Sequence, residues 1–302
     1  MRKFSTAAKI LVSAAILLIL FRKANLQTGI HFVGAIDWFF ILPSVALIVL
    51  AQLARAYRLA LMIFGASAEG RFFQVLRIQM VSFLPGIVSP AKIGEAAKIY
   101  MLQADTGTRL GRATACFVAE RVLDMLLLVP LASLGVYLLI GPSFSFSFQK
   151  TFFALVIVLT GTAACVPLGL AYARRKGVRA ADIWDTAKPS KLLAAGGITM
   201  LYWGMVFAEV WCFCRAALFG VTLRHISLAV PPALLSSLLP VSFSGFGVRE
   251  AALVFLLQRP QLGATYNQAL LVSLMYIVFG LGVPALMGLI YWWVGRSNVS
   301  QN

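Results

Sequence analysis

Charged side chains interrupt several apolar stretches of the sequence, and they are its best candidates for chemistry. A charge inside a bilayer costs roughly 3 kcal/mol on insertion scales, so it usually faces a partner or a water-filled cavity. We therefore expect these residues to form ion pairs, to bind a polar ligand or to carry protons. They are Lys92, Glu95 and Lys98; Glu120, Arg121 and Asp124; Glu209; and Arg249 with Glu250.

The composition indicates that lipid surrounds these charges. Hydrophobic residues make up 61% of the chain and charged residues 12%, and the mean hydropathy is +0.89. A soluble domain has about twice that charged fraction. The net charge of +16 does not predict nucleic-acid binding, because the basic residues lie between apolar runs that extend from end to end.

Two stretches of the chain match each other at an offset of 155 residues. They are SFLPGIVSPAKIGEAAKIYML, residues 82–102, and SLLPVSFSGFGVREAALVFLL, residues 237–257. Each is an apolar run interrupted by residues that a continuous helix does not tolerate, so each predicts two half-helices joined by a break. The breaking residues are Pro85 and Pro90 in the first stretch, and Pro240, Gly245 and Gly247 in the second.

Both second half-helices begin with a capping signal. Ser89 can cap with Pro90 at the first helical position, and Ser244 can cap ahead of Gly245. The start of a half-helix inside a membrane offers free N–H groups and a partial positive charge to an anion.

The pattern predicts an all-α polytopic membrane protein, one integral membrane domain over residues 1–302. We expect about six transmembrane helices, at about 4–21, 38–56, 113–140, 151–172, 192–218 and 268–293, plus two re-entrant broken-helix hairpins. With this path, sixteen Lys and Arg residues lie in cytoplasmic segments and five in external ones. Both termini are then cytoplasmic, in the cell (inner) membrane.

The offset divides the chain into two repeats. Repeat one covers about 4–140 with its hairpin at 72–102, and repeat two covers about 151–295 with its hairpin at 226–258. Three spans per repeat is an odd number, so the repeats are inverted and the hairpins enter from opposite faces. Many transporters use such repeats for alternating access, although a duplicated scaffold without transport has the same pattern.

The spacing of the charges predicts partners. Glu95 can reach Lys92 or Lys98 on a neighbouring turn. Glu120 and Asp124 flank Arg121, which indicates a self-compensating cluster that holds helices together or couples movements.

Glu95 and Glu250 occupy equivalent positions, about five residues into each half-helix, with basic residues nearby. Such a paired site suits a phosphate headgroup, to which Ser89 and Ser244 would contribute, or either Glu could carry protons.

Arg249 needs a partner if it is buried. Glu250 is adjacent and points about 100° away on a helix, so it is an awkward one. Glu95 from the other repeat, or a lipid phosphate, is the expected partner.

The segments PAKIGEAAKIYML, ERVLD and LPVSFSGFGVREAALVFLL resemble the signatures of the lysylphosphatidylglycerol synthase transmembrane, or flippase-like domain, family. The resemblance spans nearly the whole chain. It implies a link to aminoacylated phospholipids, hopanoids or polyprenyl-linked glycans. Bifunctional members continue into a soluble aminoacyl-transferring domain, and this sequence ends at Asn302, so synthase activity is not implied.

These observations predict a flippase that moves an anionic or phosphate-bearing lipid between leaflets, with a separate lipid-modifying enzyme as a candidate partner. The alternatives are a membrane enzyme, or a subunit of one, acting on a lipid-linked sugar or amino acid, and an ion-coupled carrier of a small solute. No cofactor or metal is predicted, because the four Cys lie in apolar spans without a CxxC pair and the two His lack an HExxH context. The oligomeric state stays open.

Overall fold

The computed structural model describes residues 13–16, 18–20, 22, 34, 36–89, 94–141, 188–238 and 245–299. Every regular element within these residues is helical. The fourth predicted span lies outside the described residues, and so does most of the first.

We number the α-helices in chain order. They are α1 Trp38–Phe64, α2 Phe72–Ile87, α3 Ala97–Thr106, α4 Leu110–Ile140, α5 Pro189–Ala216, α6 Leu223–Ser236, α7 Val248–Leu257, α8 Tyr266–Met275 and α9 Gly282–Val299. Two short 3₁₀ turns, Gly65–Ser67 and Glu69–Arg71, join α1 to α2, and a π-helical segment, Tyr276–Leu281, joins α8 to α9.

Four helical segments among the described residues are long and apolar enough to cross a membrane. They are Trp38–Ser67, Leu110–Ile140, Pro189–Ala216 and Tyr266–Val294. Large apolar side chains cover their outer faces; Phe39 and Leu42, for example, are 78% and 77% exposed. Water would not tolerate this much apolar surface, but lipid does. The prediction of an all-α polytopic membrane protein is confirmed.

The first described span is longer than predicted. Helix α1 continues eight residues past Ala56 and ends at Phe64. Arg55 and Arg58 are therefore buried inside it, 5% and 0% exposed, instead of marking the cytoplasmic surface. The predicted end of this span at about residue 56 is wrong, because the apolar run 59–64 extends the helix beyond both arginines.

The first break lies between α2 and α3. Pro85 is inside α2, close to its end at Ile87, and a 3₁₀ turn from Gly94 precedes α3. Ser89 Oγ accepts a hydrogen bond from the Gly94 amide at 2.7 Å, although the N-cap of α3 is Ala96. The chain packs tightly at this point, since a Cβ at Gly94 would lie 2.1 Å from the Pro85 carbonyl oxygen.

The second break lies between α6 and α7. Gly245 and Gly247 have φ values of +83° and +87°, which a residue with a Cβ rarely adopts. Gly247 is the N-cap of α7, and its amide donates to Glu250 Oε2 at 2.5 Å. Pro240 and Ser244 lie outside the described residues, as does Pro90 of the first break.

The helices pack in pairs across the molecule. Helices α1 and α5 run antiparallel, since Arg58 bonds Thr199 near one end of the pair and the Asp37 amide bonds the Ala216 carbonyl at the other. Helix α2 packs on α9 and α6 packs on α4.

A glycine lies at each of the last two crossings. A Cβ at Gly135 of α4 would lie 2.0 Å from the Leu228 carbonyl oxygen of α6. A Cβ at Gly288 of α9 would lie 2.5 Å from the Met80 carbonyl oxygen of α2. Small residues thus allow close helix approach at both crossings, as in many membrane proteins.

Candidate functional site

Seven charged side chains meet between α1, the start of α3 and α4, and we call them the charged cluster. Six of the seven are almost completely buried. The members are Arg55, Arg58, Glu95, Lys98, Glu120, Arg121 and Asp124.

Arg58 is the centre of the charged cluster. Its Nη1 donates to Asp124 Oδ1 and to Thr199 Oγ1, both at 2.7 Å, and its Nη2 donates to Glu120 Oε1 at 3.2 Å. Trp203 Nε1 donates to the same Asp124 oxygen at 3.2 Å. One guanidinium thus ties α1 to α4 and α5, and its planar fork suits this multiple bonding.

Lys98 occupies the side of the charged cluster next to the first hairpin. Its Nζ donates to Glu120 Oε2 at 2.5 Å and to Gln79 Oε1 at 3.3 Å. The side chain is fully buried, so the carboxylate of Glu120 and the amide of Gln79 replace the water that the ammonium has lost.

Glu95 connects two arginines from different helices. Arg55 Nη2 donates to Glu95 Oε2 at 2.6 Å, and Arg121 Nη2 donates to the same oxygen. The stem of Glu95 lies against Gly86, where a Cβ would be 2.5 Å from Glu95 Cγ. The turn before α3 is thereby held against both α1 and α4.

The charged cluster has an excess of positive charge. It holds four cations and three carboxylates, if all are ionised. The side chain of Arg121 is 34% exposed, whereas those of its partners Glu95 and Asp124 are 4% and 5% exposed. Arg121 also faces the ring of Phe117 at 5.4 Å. Arg121 is therefore the most exposed member of the charged cluster.

A second ion pair lies at the start of α7. Arg249 and Glu250 are 2% and 1% exposed. Arg249 Nε donates to Glu250 Oε1 at 2.9 Å, and Nη2 donates to the same oxygen. The guanidinium also faces the rings of Tyr276 at 4.9 Å and Phe246 at 5.6 Å. This pair is neutral and has its own aromatic lining.

A pocket of about 540 Å³ opens where α1 ends and α4 begins. Arg71, Arg109 and Arg112 line it, with the backbone and side chains of Thr106 to Thr108. Arg71 Nη1 donates to the Thr106 carbonyl oxygen at 3.3 Å, so the pocket wall is tied to the end of α3. None of the described residues that line the pocket is acidic, and the pocket is therefore suited to an anion.

The family comparison decides the broad identity. The model of the lysylphosphatidylglycerol synthase TM region matches residues 6–288. The chain belongs to this family. The lysylphosphatidylglycerol synthase TM region is a membrane domain associated with lipid flippase function, and it is typically the flippase part of its proteins. No curated protein and no solved structure matched the chain.

One predicted pairing and one predicted helix position differ from the structure. Of the two lysines expected for Glu95, Lys92 lies outside the described residues and Lys98 points across to Glu120, while Glu95 lies in the turn before α3 and bonds arginines. Glu95 and Glu250 are also not five residues into their half-helices, since Glu250 is the third residue of α7 and Glu95 precedes α3.

The expectation that Glu120, Arg121 and Asp124 compensate one another is also wrong in its main point. Arg121 and Asp124 approach only to 4.0 Å. The short bonds of all three go to α1 or to the first hairpin. The facing helices thus supply the partners of these three side chains.

The partner expected for Arg249 is different as well. Arg249 pairs with its neighbour Glu250, although helix geometry points the two side chains in different directions. Glu95 accepts hydrogen bonds from Arg55 and Arg121 instead. Glu250 folds back to the N-cap amide of α7, and the long Arg249 side chain reaches its outer oxygen there. In the described part of the chain, the two carboxyls thus bond different arginines.

Arg55 and Arg58 are the functional candidates that sequence reasoning missed. They are three residues apart, on one face of α1, and apolar residues continue beyond them. That continuation was the available signal. Lys92 and Ser244 lie outside the described residues, and among the residues described no group of three His, Cys, Asp or Glu could hold a metal ion.

Proposed function

We propose that this protein is a flippase that moves an anionic or phosphate-bearing lipid between the two leaflets of the cell membrane. The observation that carries the proposal is the excess positive charge of the charged cluster. Most of the cluster lies within apolar spans, and its member Arg121 is partly exposed. Charges at this depth are costly, so a structure that keeps one more cation than it has carboxylates needs a reason. A phosphate that visits the site supplies the missing negative charge.

The arginine-lined pocket supports the same substrate class. The pocket lies at the end of α1, and Arg58 and Arg55 lie further back along the same helix. A headgroup held at the membrane surface by Arg71, Arg109 and Arg112 would be positioned for entry toward the charged cluster. Basic pockets at the ends of membrane helices bind anionic headgroups in this way.

We infer that the two halves are inverted repeats, and several observations support this. Ser82 and Ser237, which match at the 155-residue offset, each donate to the carbonyl three residues before them, at 3.0 and 2.6 Å. The matched Leu102 and Leu257 are both fully buried.

The packing of the helices supports the same inference. Helices α1 and α5 correspond under the offset and are antiparallel neighbours. The hairpin helices α2 and α6 each pack on the last span of the opposite half, α9 and α4. A two-fold relation in the membrane plane predicts this exchange, and transporters use it to alternate access to a central site.

Leaflet exchange in liposomes tests the proposal. Purified protein would be reconstituted with a fluorescent anionic phospholipid, and the lipid in each leaflet would be measured with an impermeant quencher. We expect exchange above that of protein-free liposomes. Arg121→Gln should lower it about tenfold or more, since a hydrogen bond to a charged group contributes about 1.5–3 kcal/mol.

Arg77→Gln is the matched control. Arg77 is similarly exposed, at 38%, and paired with Asp105, but it lies outside the charged cluster. Equal rates of lipid exchange by the Arg121 and Arg77 variants would show that the substrate does not contact the charged cluster. Absence of exchange for every anionic lipid, with activity on a soluble solute or a lipid-linked sugar instead, would favour a carrier or an enzyme.

A further inference from the structure

Glu209 is a buried acid that neither ion-pair group uses. It lies in α5, one of the spans, and is 4% exposed. Its Oε1 has no hydrogen-bond partner. An ionised carboxylate in such a place lacks both water and a counter-charge, and this is far more costly than burying a neutral acid.

None of the described groups that face Glu209 supplies a counter-charge. Its electrostatic neighbours are the hydroxyl of Tyr276 and the thiol of Cys212, which are both neutral groups. The charged groups on the surrounding helices have other partners or lie at exposed ends. These are Arg55 and Arg58 of α1 and Glu120, Arg121 and Asp124 of α4, all in the charged cluster; Arg249 and Glu250 of α7, which pair with each other; and Arg224 and His225 at the start of α6.

Glu209 lies against a π-helical segment of the backbone. A Cβ at Gly280 would lie 2.6 Å from Glu209 Oε1, so the carboxyl packs on the π-helical segment Tyr276–Leu281. Such segments hold one extra residue in a helix and often occur at functional sites. Conversion of this segment to α-helix would turn the neighbouring residues by about 100° and uncover the carboxyl.

The same segment also contacts the second ion pair. The ring of Tyr276 lies 4.9 Å from the Arg249 guanidinium. A rearrangement of Tyr276–Leu281 therefore changes the surroundings of Glu209 and of Arg249 together. This gives a physical link between a proton on Glu209 and the shape of the second hairpin.

We propose that Glu209 is a proton-binding site that couples proton movement to transport. In the described conformation its carboxyl is neutral. When the π-helical segment rearranges, the O–H bond ionises and the proton passes to water on one side of the membrane; the next cycle takes up a proton from the other side. The coupling rests on the proposed flippase function, whereas the neutral state of Glu209 does not.

Infrared difference spectroscopy tests the neutral state without any transport assay. A protonated carboxylic acid has a C=O stretching band that a carboxylate lacks. We expect this band in the wild-type protein at neutral pH and its loss in Glu209→Gln, which keeps the size and neutrality of the group. The absence of the band in the wild type, or its persistence in a folded Glu209→Gln, would overturn the proposal.

A second variant protects the test against misfolding of the first. Gly280→Ala would press on Oε1, so it should shift the band, whereas Gly204→Ala on α5, where a Cβ has open space, should not. A band that changes with neither Glu209→Gln nor Gly280→Ala would not belong to Glu209. That result also counts against the proposal.

Leaflet exchange under an imposed pH gradient tests the coupling. We expect wild-type net lipid movement to respond to the gradient at least several-fold, and Glu209→Gln to exchange lipid without responding to it. Continued gradient dependence in Glu209→Gln would overturn the coupling while the flippase function stands. If the wild type moves no lipid, the flippase proposal fails, and the infrared result still decides the proton site.

Discussion

Arg58 of α1 and Asp124 of α4 form a two-point ion pair inside the bundle, with Nη1–Oδ1 at 2.7 Å and Nη2–Oδ2 at 3.4 Å. The residues are 66 positions apart in the chain. Both are nearly inaccessible, so the pair fixes how α1 meets α4.

The first prediction concerns this pair. Asp124→Asn keeps the shape but removes the charge, leaving Arg58 with Glu120 alone among its carboxylates. Breaking a buried pair costs about 3–5 kcal/mol, so we expect a large drop in thermal stability in detergent. Asp105→Asn is the control, because its pair with Arg77 is largely exposed and contributes about 1 kcal/mol at most. Similar melting temperatures for the two variants would show that the Arg58 pair does not hold the bundle.

The second prediction concerns Lys98 and Glu120. Glu120→Gln leaves the fully buried ammonium of Lys98 without its carboxylate and should destabilise strongly. Lys98→Met should also destabilise, but the double variant should be more stable than the sum of the two changes implies, by about 0.5–3 kcal/mol. Chemical or thermal unfolding of all four proteins measures this coupling. Simple additivity would contradict a direct pair.

The third prediction concerns the two glycine crossings. Gly135→Ala and Gly288→Ala place a methyl group within 2.0 and 2.5 Å of a carbonyl oxygen on the facing helix. We expect each to cost about 1–3 kcal/mol because the helices must separate. Gly204→Ala in α5 meets nothing within 4 Å and should instead stabilise by roughly 0.5–1 kcal/mol. If all three variants behaved alike in a thermal melt, the close crossings would be wrong.

The fourth prediction concerns topology. Cysteines at Gln103 and Gln261, both exposed near the ends of second half-helices, would be introduced singly into a Cys-free protein. If the hairpins enter from opposite faces, an impermeant reagent added outside intact cells labels the cysteine at 261 and not that at 103. Labelling of both from outside would refute the inverted repeat.

The helix breaks were predictable because single residues dictate them. Glycines at 245 and 247 adopt positive φ, and Pro85 lies close to the end of α2. The end of α1 was placed too early, because two arginines resemble a membrane boundary. A buried and a surface arginine have the same letter in a sequence, and only the apolar residues beyond Arg58 separate the cases.

The partners in the charged cluster were harder to predict for a geometric reason. Helix spacing brings together residues three or four positions apart. On that basis the sequence predicts the pairs Glu95 with Lys98 and Arg121 with Asp124. The observed bonds join residues 22 to 141 positions apart, such as Lys98 with Glu120 and Arg58 with Thr199. Which helices face one another decides these partners, and local spacing carries no information about that.

The most direct test of the central claim is a comparison of headgroups. Liposomes containing the wild-type protein would receive, in separate experiments, two fluorescent lipids with identical acyl chains, one bearing a phosphate and one with a neutral, phosphate-free headgroup. We expect protein-dependent exchange of the phosphate-bearing lipid to be at least about tenfold faster than that of the neutral lipid, which lacks one charge-assisted contact. Equal rates for the two lipids, or exchange no faster than in protein-free liposomes, would contradict it.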